Sequence, residues 1–536
     1  MAKSGINCRT RGRDPFAVAQ WATALPKGAS VVVYCVHGHE VSQGAANALR
    51  ALGIDAQFLQ GGIEAWREEG LPLAALAHAP AVSFFEALKF WLRLGCISFG
   101  GPAGQIAIMH RELVEERRWI SEKRFLHALN YCMLLPGPEA QQLATYLGWL
   151  LHRTLGGVIA GVLFVLPSLV LLVALAAAYV AWGEVPLVAA LFYGIKPAVV
   201  ALVVQAAHRL ATRTLRSGAL WALAGAGFVA VAVFQAPFPL VVLVAALVGA
   251  IGARVAPRHF GGPPQAPRVA GGAQAPARLP ALIDDDTPAP EHARLRPWGI
   301  AGVVAVGLLL WGLPMAALAL VFGTQAVATQ MGAFFTQAAL LTFGGAYAVL
   351  PFVYQGAVVQ HGWVNAGQMM DGLALGESTP GPLIMVVAFV AFVGGWQSPA
   401  MAAHAAALGP LAPYAAGALC ALVATWFTFL PSFVFILAGG PLVESTRGRM
   451  AFTGPLTAIT ATVCGVILNL ALFLGVHVLW PLGWPGGFDI AAALIGLVAL
   501  WALIVRRRGV IEVLGLSAVA GALVYLGLPA SVRLVG

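Results

Sequence analysis

Residues 134–149 read LLPGPEAQQLATYLGW: one glycine between two prolines, then a glutamate, inside a run apolar enough for a membrane interior. Proline has no N–H and its ring clashes with the preceding turn, so no helix passes Pro136-Gly137-Pro138 unbroken. Where a half-helix restarts, its first amides lack intrahelical partners and the positive end of its dipole points the same way. Such a terminus holds a tetrahedral oxyanion without a full positive charge, and glycine lets the backbone come close. The chain has breaks of this kind at FGG (99–101), PGP (136–138), FGG (343–345) and PGP (380–382). The glycines Gly100, Gly101, Gly104, Gly137, Gly344, Gly345 and Gly381, with the neutral donors Ser98, Gln105, Gln141, Gln142, Thr342, Ser378 and Thr379, form the candidate anion site. The competing use of these glycines is close packing of helices.

Two acids adjoin the breaks, Glu139 just after the first PGP and Glu377 just before the second. An ionised carboxylate repels a neighbouring anion, so each is expected to be protonated or paired when the anion binds. Either state suits coupling to a proton. For Glu139 the alternative is a capping carboxylate on a first helical turn. Lys196, in YGIKPAV within an apolar span, is the candidate cation. A lysine there either faces a counter-anion or reaches back to the interface. Trp119 and Trp363 are expected at interfaces as anchors. The RELVEERR stretch reads as a solvated loop or a charged antechamber.

The elements that position these residues are duplicated. Phe99 and Phe343, Trp119 and Trp363, and Pro136 and Pro380 are each 244 positions apart. LPS at 166–168 answers LPS at 430–432 at 264, so the second copy carries about 20 extra residues after Gly394. PGP splits the run 125–151 into pieces of 11 and 13 residues. Each piece is long enough for only about half of a roughly 30 Å hydrocarbon layer. The four broken runs (84–109, 125–151, 332–352, 367–395) are therefore expected as re-entrant hairpins. Nine spans then remain: 156–181, 188–207, 218–235, 239–253, 297–322, 413–439, 454–480, 490–505 and 509–528. The loop 110–124 holds Arg111, Arg117, Arg118, Lys123 and Arg124, whereas its counterpart 353–366 holds no basic residue. With the N-terminus in the cytoplasm, every basic loop falls inside, and the two copies are inverted.

Composition agrees with this class: hydrophobic residues make up 60% and charged residues 10% of 536, and mean hydropathy is +0.83. This is a polytopic integral membrane protein. The 31 basic against 22 acidic residues fall in short loops, which excludes a nucleic-acid reading. Six scattered cysteines form no CxxC pair and no disulfide framework. Residues 1–80 differ in polarity from the rest. VVVYC (31–35) and AQFL (56–59) read as strands around a helix at 42–53, and Cys35 ends the first strand beside a loop containing His37 and His39. The two histidines read as solvated, with no metal expected. Residues 256–297, rich in Pro, Gly and Ala, read as a flexible linker between a first copy (81–255) and a second (298–536).

The stretches FGGPAGQIAIMHRELVEERRWI (99–120), LLPGPEAQQLATYLGWLLHR (134–153), LLTFGGAYAVLPFV (340–353) and DGLALGESTPGPLIMVVAF (371–389) resemble the chromate ion transporter family in its long two-domain form. The resemblance implies proton- or potential-linked export of chromate across the cytoplasmic membrane, giving chromate resistance, with sulfate as the related oxyanion. Residues 1–80 resemble the C-terminal part of a rhodanese domain, with Cys35 in the place of the sulfur-carrying cysteine and FLQGGIEAW (58–66) matching its signature. Glu40 departs from that family's active loop, which usually offers an arginine; a carboxylate there opposes a thiolate. The overall expectation is an all-α membrane protein of two inverted repeats with a small α/β domain facing the cytosol. Its expected partners are chromate or sulfate, protons and lipid, with a homodimer as the candidate assembly and no cofactor. The enzymatic alternative is a membrane-anchored sulfurtransferase.

Overall fold

A computed structural model describes residues 18, 22, 31–33, 40–62, 65, 82–99, 101–183, 185–256, 260, 281–284, 287, 290–293, 297–343, 346–445, 453–481, 483 and 486–527. The chain divides into two compact units, one made of residues 1–81, 117–121 and 268–284 and the other of the remainder. In the first unit β1 (Val31–Val33) pairs in parallel with β2 (Ala56–Phe58), Val32 opposite Gln57. The crossover is α1 (Glu40–Ala51), whose Ala45, Ala46 and Leu49 bury against Ala56. Parallel pairing requires such a crossover, so the strand-helix-strand reading of the sequence is met. Cys35, His37, His39 and Trp66 lie outside the described residues. Within the same unit Ile283, from the Pro- and Gly-rich stretch, forms a parallel bridge with Ile120, and its N–H donates to the Trp119 carbonyl at 3.1 Å. That stretch is thus held by backbone bonds at this point.

The second unit is helical. In chain order it contains α2 (Phe84–Ile97), α3 (Gly101–His110), α4 (Glu122–Cys132), α5 (Glu139–Trp182), α6 (Pro186–Thr214), α7 (Gly218–Ala232) and α8 (Phe238–Val255). Then come α9 (Pro297–Phe322), α10 (Val327–Leu341), α11 (Ala346–Tyr354), α12 (Ala366–Ser378), α13 (Val386–Trp396), α14 (Pro399–Ala403), α15 (Ala412–Ser445), α16 (Thr453–Leu479), α17 (Ile490–Ile504) and α18 (Val510–Gly527). All nine expected spans are helical, and among the described residues seven helices are long and apolar enough to cross a membrane. The two shorter ones, α7 and α17, have 15 residues each.

The duplication reappears element by element. π-Helical turns occupy Arg111–Glu116 and Gln355–Gln360, 244 positions apart at both ends. The expected solvated loop at RELVEERR is therefore an ordered turn over its first six residues, in which Glu112 is buried and lies 3.7 Å from Arg93. Trp119 and Trp363 are buried rather than exposed at a surface. Trp363 stacks on His361 at 4.4 Å and meets Phe334 edge-on.

Both PGP sequences end one helix and start another. After the first, α5 runs 139–151 and then breaks at His152 (φ −135°) and Arg153, whose φ of 56° is left-handed. The piece 139–151 covers only about 20 Å at about 1.5 Å per residue. The chain then reverses: Gly148 packs on Gly156, and Gly157 and Gly161 both pack on Thr145, an antiparallel contact that side chains at these glycines would block. In the second copy α13 is 11 residues long, and Gly395 and Gly417 make the corresponding close contacts with α15 and Phe392. The long piece of α5 and α15 also run antiparallel, since Gly157 meets Leu437 while Gly161 meets Phe433. Residues 383–393 are buried throughout, and this doubly packed segment forms the centre of the core.

His292, in a turn ahead of α9, has its Nε2 at 2.9 Å from the Trp149 carbonyl. Burial holds its pKa below the ordinary histidine value.

Candidate functional site

Each kink binds the break of the other copy. The Gly137 N–H donates to the Thr342 carbonyl at 2.8 Å, and the Gly381 N–H donates to the Ser98 carbonyl at 2.8 Å. The acceptors are free because Phe99 and Phe343 follow the ends of α2 and α10, where carbonyls leave the helical ladder. The hydroxyls at these ends turn back into their own helices, Ser98 Oγ to Leu94 O and Thr342 Oγ1 to Ala338 O, both at 2.6 Å. Gly137 and Gly381 have φ of 121° and 114°, values that side chains avoid. A methyl group on Gly137 would enter Ser432 Oγ, and one on Gly381 would enter Ser168. Ser168 and Ser432 are the serines of the two LPS sequences, so this contact too is exchanged between the copies.

Side-chain amides complete the arrangement. Gln105 Nε2 donates to the carbonyls of Ser98 and Gly381. Gln142 Nε2 donates to Pro136 O at 2.7 Å and Ser432 Oγ at 3.3 Å, and Gln141 Nε2 to Thr145 Oγ1 at 3.0 Å. Gly101 opens α3 with φ of 68°, and Gly104 packs on the Phe99 carbonyl. Thr379 is buried and donates to Gly376 O, while Ser378 is exposed and donates to Leu375 O. Gly100, Gly344 and Gly345 lie outside the described residues.

The structure thus brings Ser98, Gln105, Gly137, Gln142, Thr342 and Gly381 together, but it occupies the two PGP amides and the two break hydroxyls internally. Four buried oxygens, Gln105 Oε1, Gln141 Oε1, Gln142 Oε1 and Ser168 Oγ, find no hydrogen-bond partner among the described residues. Buried polar atoms are costly when unpaired, so this is a polar centre within an apolar core.

The charged candidates have partners that the sequence reading did not name. Lys196 Nζ lies 4.0 Å from Asp371 Oδ1, and Asp371 Oδ2 accepts from Tyr179 Oη at 2.9 Å. Glu377 accepts from Tyr347 Oη at 2.6 Å, so its carboxylate is paired. Glu139 is half-buried as the first residue of α5, the position where a carboxylate also caps. A further cluster joins Arg124, Tyr146 and Glu444: the tyrosine donates to Glu444 Oε1 at 2.6 Å, and Arg124 Nη1 is 3.9 Å from Oε2. Asp371 stands inside the DGLALGE stretch, where its isolation in an apolar run was a usable signal. Tyr146, Tyr179 and Tyr347 carry no such mark, because a tyrosine in a membrane helix reads as apolar until its hydroxyl meets a partner.

Comparison with known proteins matches residues 85–250 and 329–522 to the family described as chromate transporter, and residues 6–69 to the family described as rhodanese-like domain. A chromate transport protein of Pseudomonas aeruginosa is 33% identical over 394 residues, covering 73% of this chain and 81% of that protein. One from Cupriavidus metallidurans is 29% identical over 430 residues, covering 80% and 90%. A probable chromate transport protein of Synechococcus elongatus is 28% identical over 429 residues, covering 80% and 91%. No solved structure matches the chain significantly.

Proposed function

The chain belongs to the chromate transporter family, and on that premise we propose that this integral membrane protein carries chromate out of the cytoplasm by alternating access and so confers chromate resistance. The observation that carries the reading is the exchange of contacts between copies, Gly137 with Thr342 and Gly381 with Ser98. Exchange of this kind arises when two equivalent halves face each other across a pseudo-two-fold axis. The antiparallel packing of α5 and α15, which hold the two LPS sequences, supports an axis that inverts one copy relative to the other. Two inverted halves that share one polar centre can rock about it, opening it to either side in turn.

In this reading the cargo enters between the kinks and displaces the internal bonds. The amides of Gly137 and Gly381 exchange their carbonyl acceptors for oxyanion oxygens, and the starts of α5 and α13 add dipole and further amides. The remaining contacts at the kinks fall to Ser98, Gly100, Gly101, Gly104, Gln105, Gln141, Gln142, Thr342, Gly344, Gly345, Ser378 and Thr379, and Lys196, beside Asp371, meets the anion on its way to or from them. Glu139 and Glu377 take up or release the coupling proton. The rhodanese-like piece lies on the cytoplasmic side and is not the seat of transport. Everted vesicles containing the protein are expected to accumulate chromate when energised, and excess sulfate is expected to compete, since both dianions are tetrahedral. Uptake equal to that of empty vesicles at every imposed potential and pH gradient would refute the reading.

A further inference from the structure

Among the described residues, two clusters bring a carboxylate that accepts from a tyrosine hydroxyl within 4.0 Å of a cation, and they lie at related places. Tyr179 lies 264 positions before Val443, and His127 lies 244 positions before Asp371, the two offsets of the duplication. The Tyr179–Asp371 contact is therefore the counterpart of the contact between Val443 O and His127 Nε2, at 3.2 Å. Beside the first pair stands Lys196; beside the second stand Glu444, Arg124 and Tyr146. In both places the end of a long helix is fastened to the helix that precedes PGP: α5 to α12 in one, α15 to α4 in the other.

The charges are not copies of each other. Asp371 belongs to the pre-PGP helix of its cluster, whereas Glu444 belongs to the long helix of the other; Lys196 comes from α6 and Arg124 from α4. Duplication alone would have placed like residues at like positions. The same chemistry has instead been built twice from different parts. The clusters are also at opposite ends. Because the long piece of α5 packs antiparallel to α15, Tyr179, three residues before the end of α5, and Glu444, one residue before the end of α15, point to opposite faces of the bundle.

Both carboxylates are buried, with side chains 7% exposed for Asp371 and 5% for Glu444. At 4.0 Å and 3.9 Å the ions attract without a direct hydrogen bond, and removing one partner leaves an uncompensated buried charge. A doubly charged oxyanion arriving at the cation offers it a stronger counter-charge and leaves the carboxylate only its tyrosine hydroxyl, so the cation lets go of the helix that carries the carboxylate. We propose that the two clusters are the latches of opposite gates: Asp371–Lys196–Tyr179 closes one end of the central polar region and Glu444–Arg124–Tyr146 closes the other. Each latch is released when the dianion takes over its cation. Both are formed here, as in a state closed at both ends. The inference rests on the alternating-access reading above but not on the identity of the ion.

The test reads gate opening without any substrate. A cysteine replaces Ser168 or Ser432, beside the two kinks, and its modification by a membrane-impermeant maleimide is measured in right-side-out and inside-out vesicles against the parent chain. Asp371→Asn is expected to raise labelling from one side only, and Glu444→Gln from the opposite side only. Tyr179→Phe and Tyr146→Phe, which delete a single hydroxyl each, should reproduce the same two directions at about fivefold, the worth of one hydrogen bond. These two carry the test if the carboxylate variants fail to insert. Opposite-sided increases support the latches. Increases from the same side, or no increase in the tyrosine variants, overturn them. Chromate uptake measured on the same vesicles is a separate readout, so failure of the ion assignment leaves this result standing.

Discussion

At the scale of single residues, the centre depends on two glycines whose backbone no other residue adopts cheaply. Gly137→Ala and Gly381→Ala add a methyl group at positive φ and push it into Ser432 and Ser168. Each is expected to cost about 2–4 kcal/mol, strain and overpacking together, and to lower the detergent-solubilised Tm. Gly409 also has positive φ, 55°, but open space around its absent Cβ. Gly409→Ala should therefore cost only its backbone strain, about 1–2 kcal/mol. Equal losses at all three positions would mean that φ alone, and not the crossing contact, decides. The sequence marked Gly137 and Gly381 clearly, because proline on both sides leaves few conformations for the residue between. It could not show that their amides would be spent on Ser98 and Thr342. Which acceptor meets a kink depends on the packing of segments more than 200 residues apart, and nothing local records it.

At the scale of elements, the short helices are the legible part. PGP, the 11- and 13-residue pieces and the matched register are properties of the chain itself, and α4, α12, α13 and the stretch of α5 before its kink follow them closely. The reversal at Arg153 falls in the gap that the sequence leaves between the hairpin 125–151 and the span 156–181, although a non-glycine residue at φ 56° gives no cue of its own. The π-helical turns at Arg111–Glu116 and Gln355–Gln360 were not foreseen either, because a charged stretch reads as solvated loop whatever its hydrogen bonding. These turns give a direct measure of orientation. Glu116 and Gln360 are exposed and 244 positions apart. In inverted copies, Glu116→Cys should react with an impermeant thiol reagent only from the cytoplasmic side and Gln360→Cys only from the opposite side. Labelling of both from one side would show the copies to be parallel.

At the scale of the whole molecule, composition alone fixes a membrane protein, while the exchange of contacts between its halves emerges only in three dimensions. The bonds Gly137–Thr342 and Gly381–Ser98 make each half incomplete: every kink needs a carbonyl that the other half owns. Covalent linkage is then a convenience rather than a requirement. Two genes, encoding the chain up to 265 and from 266, should yield polypeptides that co-purify and restore uptake when produced together, and neither should do so alone. Such a pair would be an obligate heterodimer made from what is now one chain, its halves recognising each other by the same two amide hydrogens that now hold the centre shut.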